Sequence, residues 1–394
     1  MDLWSALGAV PLVLAAVGVA YHAYAAWAVR RFFAGPHAHP EAPLPVSLIK
    51  PLHGAEPRLT DNLATFLAQD YAAPVQMVCG TNTADDSAVA PARAVIAAHP
   101  AADIALFTGP RLPGANGKMG NCAAMLPLAR HDVLILSDSD MVVAPDYLAR
   151  VTTALAVPGT GAVTCLYLGR GDTGWWSWLG AAMIDWQTMP NMIVGLATGL
   201  ARPCMGSTIA LRRETLEAIG GFASLTEVLA DDHAIGAGVS ALGLAVSVPP
   251  ILLIHAGAEA NLPALWRQHL RWAVTVRSLA GAGHLGSVVT HALPLAIIGM
   301  IAHPLAGAAL ALAAMAARLA VTREVARAAK AVPGRIEPPR LWLPLADMLA
   351  FAVFCCSLVA QRIDWRGSGL TMARFSDTGA PVTAGRIRAH DKRD

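Results

Sequence analysis

A long uncharged segment near the N-terminus constrains the fold of this chain more than any other feature. Trp4 to Val29 is 26 residues without Asp, Glu, Lys or Arg. A helix needs about 20 apolar residues to cross the hydrocarbon of a bilayer. The basic n-region of a signal peptide is missing before this segment, and Arg30 and Arg31 follow it. By the positive-inside rule, the sequence predicts a membrane anchor over residues 1–31, with the following residues in the cytoplasm.

The composition of the 394-residue chain also indicates a membrane protein. Hydrophobic residues make up 55% and charged residues 14%, whereas soluble domains carry about 25% charged residues. The formal net charge of +2 is too small to indicate a nucleic-acid partner. The six cysteines form neither a CxxC pair nor a zinc spacing, which favours reduced thiols. These proportions exclude a disordered chain and disfavour a wholly soluble enzyme.

A second membrane region is predicted over residues 278–361. Ser278 to Ala317 is 40 residues without a formal charge, which suits two short spans with a turn at His303 and Pro304. The next stretch holds six basic and two acidic residues, a cytoplasmic signature, and Leu341 to Gln361 offers a further span. We therefore expect about three C-terminal spans.

The basic tail over residues 362–394 conflicts with this topology. Three crossings after a cytoplasmic domain would leave the tail outside, against the positive-inside rule. Either one segment is re-entrant or the charge rule fails at this end of the chain.

Residues 44–277 alternate short apolar runs with helical patterns. The apolar runs predict buried strands at Val46–Ile49, Val75–Cys79, Ile104–Phe107 and Val133–Leu136. The spacing between them predicts helices at Leu59–Ala68, Ala88–Ala98 and Asn121–Ala129. This alternation indicates an α/β, Rossmann-like domain with a mostly parallel sheet. Ligands bind such sheets beyond the carboxyl ends of the strands, so candidate site residues are expected directly after each strand.

The strongest candidate site is Asp138-Ser139-Asp140, directly after the predicted strand Val133–Leu136. Hard divalent cations prefer carboxylate oxygens and keep open positions for substrate phosphates. An Asx turn that ends the strand is the structural alternative. The position after a buried strand of an α/β domain favours the metal interpretation.

Two further acidic pairs follow in the chain. Asp85 and Asp86 come after the second strand and either bind the base or ribose of a nucleotide or cap the next helix. Asp231 and Asp232 open a predicted helix, where its dipole favours carboxylates. Their functional interpretation is a general base, because a neighbouring acid raises the pKa of a carboxyl group.

Cationic residues complete the candidate site. Gly114 to Lys118 is a glycine-bearing loop before a helix, where backbone N–H groups and the lysine could meet a phosphate. Gln268, Arg271 and Trp272 lie just before the membrane region, where arginine and tryptophan are commonly interfacial anchors.

The ordered set of motifs resembles the processive and lipid-directed inverting glycosyltransferases of family 2. It is most similar to the ceramide glucosyltransferase branch, which includes the bacterial hopanoid-biosynthesis-associated glycosyltransferases. Val46 to Gly54 is similar to that branch's VSxxKPLxG start, and the three acidic pairs follow in the same order. Gln268, Arg271 and Trp272 match the closing (Q/R)xxRW.

This resemblance implies a GT-A domain over residues 44–277, a UDP-sugar donor and a role for each motif. Asp85 or Asp86 would lie near the nucleotide, and Lys118 and Asp231 would also contact substrate. The remaining implied roles are magnesium or manganese binding by Asp138 and Asp140, deprotonation of the acceptor by Asp232, and closure over both substrates by Gln268, Arg271 and Trp272.

The implied activity is that of a hexosyltransferase (EC 2.4.1.-) in the cytoplasmic membrane, with its catalytic domain facing the cytoplasm. Glucose or N-acetylglucosamine would pass to a hydroxyl of ceramide or a hopanoid, with inversion to a β-glycolipid. The apolar segments Trp175–Trp178 and Met189–Val194 either contact this lipid or form ordinary core or an interface belt, and the close tryptophans favour a belt or loop.

Three alternative classes remain open. A processive polysaccharide synthase would need more spans, a multi-pass transporter would need charges within its spans, and a membrane scaffold would have no activity. The oligomeric state is not predicted.

Overall fold

The computed structural model describes residues 3–35, 43–54, 56–201, 204–360, 362–365 and 368–371. Within these residues the α-helices are α1 Leu3–Phe33, α2 Leu59–Leu67, α3 Val89–Ala98, α4 Gly117–Met125, α5 Tyr147–Ala156, α6 Trp175–Met183, α7 Met189–Thr198, α8 Arg213–Ala218, α9 Asp231–Ala241, α10 Leu262–Leu279, α11 Gly281–Gly286, α12 Ala292–Gly299, α13 Pro304–Ala328 and α14 Leu343–Val359. The strands are β1 Val46–Pro51, β2 Val75–Gly80, β3 Asp103–Phe107, β4 Val133–Leu136, β5 Met141–Val142, β6 Thr160–Thr164, β7 Leu166–Gly171, β8 Ile209–Arg212, β9 Ala245–Ser247, β10 Leu252–Gly257, β11 Arg362–Trp365 and β12 Ser368–Thr371.

The main sheet of the described residues has seven strands in the order β3-β2-β1-β4-β8-β6-β9. β3, β2, β1 and β4 pair in parallel, β8 is antiparallel to both of its neighbours, and β9 is parallel to β6. A second sheet has the order β5-β10-β7, in which β10 is parallel to β7 and antiparallel to β5. The predicted mostly parallel sheet and its first four strands are confirmed.

The sheet is covered on both faces, which explains why its strands lack polar alternation. Neighbouring strand residues point to opposite faces. Leu48 and Ile135 accordingly pack in one apolar cluster with Phe66, whereas Ile49 and Leu136 pack in another. All six residues of β1 are buried.

One predicted helix begins earlier in the structure than expected. α4 starts at Gly117, whereas the apolar spacing predicted a start at Asn121. The side chain of Asn116 caps this helix by accepting a hydrogen bond from the Met119 amide. A capping residue satisfies backbone N–H groups that have no partner in the helix, and it therefore fixes where the helix begins.

The described residues contain three helices that are long and apolar enough to cross a membrane: Gly8–Phe33 within α1, Pro304–Ala328, and Arg340–Val359. Gly281–Thr290 and Ala292–Gly299 form a bent pair with an angle of 65°, which is either a broken span or a re-entrant loop. The prediction of one N-terminal and about three C-terminal membrane segments agrees with this arrangement.

The sequence predicts that the basic stretch after Ala317 follows a membrane span, but in the structure its first residues belong to the same helix as the span. α13 begins at Pro304, at the predicted turn, but continues to Ala328. Arg318 remains inside the bundle because its guanidinium bonds to Asp347 of α14. Arg318 and Asp347, one charge from each of two candidate spans, therefore neutralise each other, and the transporter interpretation gains no support from them.

Buried polar contacts join the candidate membrane helices to the sheets. The chain makes a π-helical turn at Ile184–Thr188, between α6 and α7. Asp185 in this turn accepts hydrogen bonds of 2.7 Å from the Gly169 amide of β7 and from the Arg335 guanidinium. Arg318 also donates to the Trp186 carbonyl at 2.5 Å.

The sequence favours an interface belt or a loop for Trp175–Trp178, and the loop alternative is wrong because the segment lies at the start of α6. Trp175 is 47% exposed, and its ring lies 4.0 Å from that of Trp176 and 6.1 Å from that of Trp342, just before α14. This position beside a candidate span suits an interface belt. Met189, Ile193 and Val194 instead belong to a buried cluster with α1 and β7.

Candidate active site

The second and third acidic motifs meet at the carboxyl edge of the main sheet. Asp138 follows β4, and Asp231 is the first residue of α9. Lys118, in the first turn of α4, places its Nζ 2.6 Å from Asp138 Oδ1 and 3.4 Å from Asp231 Oδ2. One ammonium group therefore joins two motifs that are far apart in the chain.

The loop before Lys118 does not form the open phosphate-binding loop that the sequence suggests. Gly114 has a φ of 147°, and a Cβ there would lie 2.5 Å from the Thr226 carbonyl, so this glycine allows close packing. Asn116 caps α4 and also donates to Asp231 Oδ1 at 3.1 Å. The loop thus positions Lys118 and Asp231 relative to each other, and Lys118 lies between two carboxylates rather than at an open loop.

Asp140 is paired with a histidine that sequence reasoning missed. The antiparallel pairing of β5 with β10 brings Met141 opposite His255, which places Asp140 at the end of β10. Asp140 Oδ2 lies 3.2 Å from His255 Nε2. The Asp140 carboxylate raises the pKa of His255 to about 9, against the opposing effect of burial. The only sequence signal for His255 is a polar residue within the apolar run of β10.

Two atoms of this pair fit a cation site. Asp140 Oδ1 and His255 Nδ1 are buried and have no hydrogen-bond partner among the described residues. Buried polar atoms are normally satisfied, so such atoms point to a missing partner. Carboxylate oxygen suits magnesium and manganese, and a neutral imidazole nitrogen is a common metal ligand, so a cation bound here would displace the second proton of His255. No three His, Cys, Asp or Glu side chains in the described part of the chain form a ready ligand cluster, so phosphate oxygens and water would complete the coordination.

Lys50 of the opening motif supports the turn after β4. Its buried Nζ donates to the Asp138 carbonyl at 2.6 Å and to Ser137 Oγ at 3.3 Å, and lies 3.7 Å from the centroid of the Phe66 ring. Burial lowers the pKa of Lys50 to about 8. This lysine therefore orients the backbone that carries the two aspartates.

Close packing also surrounds Asp138. A Cβ at Gly206 would lie 3.0 Å from Asp138 Oδ2 and 3.1 Å from Lys118 Nζ. The segment before β8 thus approaches the acidic site as closely as a glycine permits. Sequence reasoning did not single out this residue.

The first acidic pair lies at the same sheet edge, because β2 and β4 both flank β1. Asp86 Oδ1 accepts 2.9 Å hydrogen bonds from the amides of Gly54 and Ala88, and His53 Nδ1 lies 3.3 Å from Asp86 Oδ2. Asp86 therefore ties the loop after β1 to the start of α3. Asp85 is exposed, and a hydrogen bond from Thr83 lowers its pKa.

Asp232 has the ionisation behaviour of a base. Burial and the negative charge of Asp231 raise the pKa of Asp232 to about 6, although Lys118 opposes the shift. A general base works best when its pKa lies near the working pH.

The closing motif lies on α10 against the cation-site residues. Arg271 donates to Gln268 Oε1 at 2.9 Å. The Trp272 ring lies 5.9 Å from that of His255 and 5.3 Å from that of His269. Gln268, Asp140 and His255 line a common hollow of about 260 Å³. Trp272 thus connects α10 to the Asp140–His255 pair.

The structure groups the predicted residues in two clusters. Lys118 joins Asp138 to Asp231, and His255 joins Asp140 to Trp272. Asp138 and Asp140, two residues apart, connect these clusters. Asp86 is at the same edge, but it accepts its hydrogen bonds from the loop after β1 and from the residue before α3.

A mostly parallel sheet with one antiparallel strand, and with an acidic motif after β4, defines a GT-A type glycosyltransferase domain, here combined with membrane helices. Residues 10–375 match the model of glycosyl transferase family 21, and the chain belongs to that family. The family resemblance and the predicted GT-A fold are therefore confirmed.

Similar curated proteins include two from Caenorhabditis elegans. Ceramide glucosyltransferase 1 is 23% identical over 235 residues, which cover 59% of this chain and 50% of that protein. Ceramide glucosyltransferase 3 is 26% identical over 237 residues, which cover 58% and 49%. The chain spans about half the length of these curated relatives.

Similar solved structures include two glycosyltransferases. The mannosyltransferase PcManGT from Pyrobaculum calidifontis, in complex with GDP-Man and Mn2+, has a TM-score of 0.49 and 24% identity, with 89% of this chain and 99% of that chain covered. Glucosyl-3-phosphoglycerate synthase from Mycobacterium tuberculosis, in complex with Mn2+ and UDP-glucose, has a TM-score of 0.39 and 16% identity, with 64% and 82% covered.

Proposed function

We propose that this protein is an inverting hexosyltransferase that moves a sugar from a UDP-sugar to a hydroxyl group of a membrane lipid. The observation that carries the proposal is the pairing of Lys118 with both Asp138 and Asp231. This contact brings the acids after β4 and the acids of α9 to one edge of the sheet. A site for leaving-group stabilisation and a base for the acceptor thereby become neighbours.

Asp140 is the proposed holder of magnesium or manganese, with Asp138 or His255 as its second protein ligand, because no three such side chains form a cluster in the described residues. The unpartnered Asp140 Oδ1 supports this assignment. When bound, the cation supplies charge stabilisation to the diphosphate leaving group. Lys118 and Arg271 add positive charge, and Asp86 or Asp85 contacts the nucleotide at the β2 end.

Asp232 is the proposed general base. Its raised pKa of about 6 leaves it ionised at neutral pH but basic enough to accept the proton of a hydroxyl group. A single base on the far side of the sugar from the leaving group permits one displacement with inversion, and an α-linked donor then gives a β-glycoside. Gln268, Arg271 and Trp272 close over the substrates, and Asp231 maintains the pKa of Asp232.

The proposed acceptor is a lipid because candidate membrane spans precede and follow the domain in the chain. The names of the curated relatives make glucose and ceramide the first pair to test, with N-acetylglucosamine and hopanoids as alternatives. Arg30 and Arg31 support a cytoplasmic catalytic domain in a multi-pass protein of the cytoplasmic membrane. We propose that the chain consists of a membrane anchor at residues 1–31, a catalytic domain at 44–277 and a membrane region at 278–361.

The tail at 362–394 lies outside the described residues, except for the β11–β12 hairpin.

The test is transfer by the detergent-solubilised protein. UDP-glucose or UDP-N-acetylglucosamine is mixed with manganese and ceramide or a bacterial lipid extract, and released UDP and glycolipid are measured. We expect equal amounts of UDP and a β-linked monoglycosyl lipid. Glu217→Gln, which removes an exposed carboxylate on α8, serves as the active control, and Asp232→Asn as the inactive one. Long sugar chains would identify a processive synthase, and no UDP release with either donor would contradict the proposal.

A further inference from the structure

A groove between α1 and α7 has no part in the proposed transfer. It has a volume of about 470 Å³, within the range of roughly 300–1,000 Å³ that is common for small-molecule sites. Tyr24 and Trp27 line it from α1, and Ile193 and Leu196 line it from α7. Arg31, in the last turn of α1, also belongs to its wall.

The strand β7 lies between this groove and the reactive residues. Ile193 of the groove wall packs in one apolar cluster with Leu166 and Leu168 of β7. Tyr167, between these two leucines, has its ring 5.8 Å from that of His255. Because neighbouring residues of a strand point to opposite faces, the groove and the Asp140–His255 pair lie on opposite sides of β7. The groove is therefore distinct from the candidate active site.

Close packing of the two helices holds both walls of the groove in place. Ala25 and Ala28 of α1 are buried in the same cluster as Ile193, and small side chains allow helices to approach closely. The Tyr21 hydroxyl donates a hydrogen bond of 2.7 Å to Asn191 Oδ1, which fixes α7 against α1. The groove is thus formed by the protein itself and needs no ligand to shape it.

The apolar side of the groove continues an exposed stripe along α1. Val10, Val13, Val17, Tyr24 and Trp27 are all exposed. Their spacings of three, four and seven residues place them on one face of the helix. Because α1 is a candidate membrane span, this face is suited to contact with acyl chains. A chain that lies along it reaches the groove at the two aromatic residues.

Arg31 gives the groove a positive charge. Among the described residues that line the groove, it is the only charged one. Its guanidinium lies 5.7 Å from the centroid of the Trp27 ring, and no carboxylate in the described part of the chain forms a salt bridge with it. A guanidinium group binds phosphate oxygens through two parallel hydrogen bonds. An apolar groove with such a group in its wall fits a phosphate that carries acyl chains.

The groove wall does not suit the positive group of a zwitterionic lipid. A quaternary ammonium is bound by the faces of aromatic rings, and a carboxylate also attracts it. The Arg31 guanidinium already covers the Trp27 ring, and the described lining residues include no acid. A lipid with a net negative charge therefore fits this groove better than phosphatidylcholine does.

We propose that the groove between α1 and α7 binds one anionic phospholipid, whose phosphate contacts Arg31 and whose acyl chain lies against Tyr24 and Trp27. This lipid is a bound ligand that joins a candidate span to the catalytic domain, and it is not the acceptor of the sugar. A ligand that binds only the folded protein raises its stability, so the site has a readout that is independent of transfer.

The test measures lipid binding to the full-length, delipidated protein in a non-ionic detergent. Native mass spectrometry gives the stoichiometry and apparent Kd of dioleoylphosphatidylglycerol, and thermal unfolding gives its effect on stability. Dioleoylphosphatidylcholine has the same chains without the net charge, and glycerol 3-phosphate has the charged phosphate without the chains.

Three variants separate the groove from its surroundings. Arg31→Gln removes the charge of the groove, and Ala197→Phe fills the groove from the exposed side of α7 without changing the charge. Arg30→Gln is the matched control, because it removes the neighbouring exposed charge, which does not line the groove. Without lipid, each variant should unfold at the temperature of the parent protein.

We expect one phosphatidylglycerol per protein at saturation, bound at least about tenfold more tightly than phosphatidylcholine. Arg31→Gln and Ala197→Phe should each weaken phosphatidylglycerol binding by at least about tenfold, because a charge-assisted hydrogen bond or the chain contact is lost. The loss in Arg30→Gln should stay below about fivefold, the effect of one charge near an anionic surface. Phosphatidylglycerol should raise the unfolding midpoint of the parent protein but not that of Arg31→Gln.

Equal losses in Arg31→Gln and Arg30→Gln would overturn the site, since they indicate only a general attraction to the basic end of α1. Equally tight binding of phosphatidylcholine would overturn it as well, and so would displacement of the lipid by glycerol 3-phosphate at similar concentration. Displacement by ceramide would assign the groove to the acceptor and contradict the inference. If Ala197→Phe does not fold, the two arginine variants decide the question. A protein that binds phosphatidylglycerol as expected but transfers no sugar would refute the proposed function alone.

Discussion

Replacing Asp347 by leucine should destabilise the protein strongly, because the change leaves a buried guanidinium without its counter-charge. Arg318 is 2% exposed, and it contacts Asp347 Oδ1 at 2.5 Å and Oδ2 at 2.9 Å. Removing one partner of a buried ion pair costs about 3–5 kcal/mol. Unfolding entropy of about 2.1 cal/mol/K per residue gives about 0.8 kcal/mol/K for 394 residues. The expected decrease in the midpoint of thermal unfolding is therefore about 4–6 °C.

A double variant separates the effect of the two charges on stability from the effect of the side-chain volume. Arg318→Met combined with Asp347→Leu replaces both charges by apolar side chains of similar volume. Such replacements of a buried pair are often neutral or stabilising. The double variant should therefore recover most of the stability that Asp347→Leu loses, despite carrying one substitution more.

The same helix offers a matched control. Arg327 of α13 is paired with Glu324, but its side chain is largely exposed. Exposed pairs contribute about 0–1 kcal/mol, so Arg327→Met should shift the midpoint by about 1 °C at most. Tryptophan fluorescence of the detergent-solubilised protein during heating measures the parent protein and all three variants. Equal shifts for Asp347→Leu and Arg327→Met, or a double variant as unstable as Asp347→Leu, would refute this reasoning.

Three further predictions concern the active site. Asp232→Asn should reduce kcat at least about a hundredfold with UDP affinity unchanged, and a variant that keeps a tenth of the activity would argue against the base. Because the base acts when ionised and its pKa is raised to about 6, log kcat/KM should be level at neutral pH and fall by about one unit per pH unit below pH 6. Asp231→Asn removes a like charge and should move this midpoint to lower pH, whereas an unmoved profile would exclude their coupling. Asp140→Ala and His255→Ala should each abolish manganese-dependent UDP binding in a titration, and unaltered affinity in both would remove them as ligands.

The parallel sheet and the acidic residues at its carboxyl edge could be predicted, because short stretches of sequence determine both. β1, β2 and β4 are short apolar runs, and their burial on both faces removes the polar alternation of an exposed strand. Acidic residues that follow such strands must reach the same edge when the strands are parallel. The sequence alone therefore predicts that Asp86 and Asp138 lie at one edge.

His255 could not be predicted in the same way. β10 lies in the second sheet, where it pairs with the two-residue β5 and with β7. Such pairings join distant parts of the chain and leave no periodic pattern in the sequence. His255 therefore becomes a neighbour of Asp140 only when this sheet forms.

The basic stretch after Ala317 shows how a charge pattern can mislead. Arg318 belongs to a basic stretch that is typical of a cytoplasmic segment, but Asp347 neutralises its charge within the helix bundle. Counting charges along one segment does not detect a partner on another helix. The start of α4 was missed for a similar reason, because the capping role of Asn116 outweighs the apolar spacing.

The π-helical turn at Ile184–Thr188 has a consequence for how a lipid is selected. Asp185 bonds on one side to Gly169 of β7 and on the other to Arg335, just beyond α13. β7 pairs with the strand that carries His255, so these bonds resist sliding of the reactive groups relative to the bilayer. For the proposed transfer to a lipid, the reactive groups would then stand at a constant height above the bilayer surface. A lipid whose hydroxyl group lies at another height would miss the proposed base Asp232 even if its head group had the right shape.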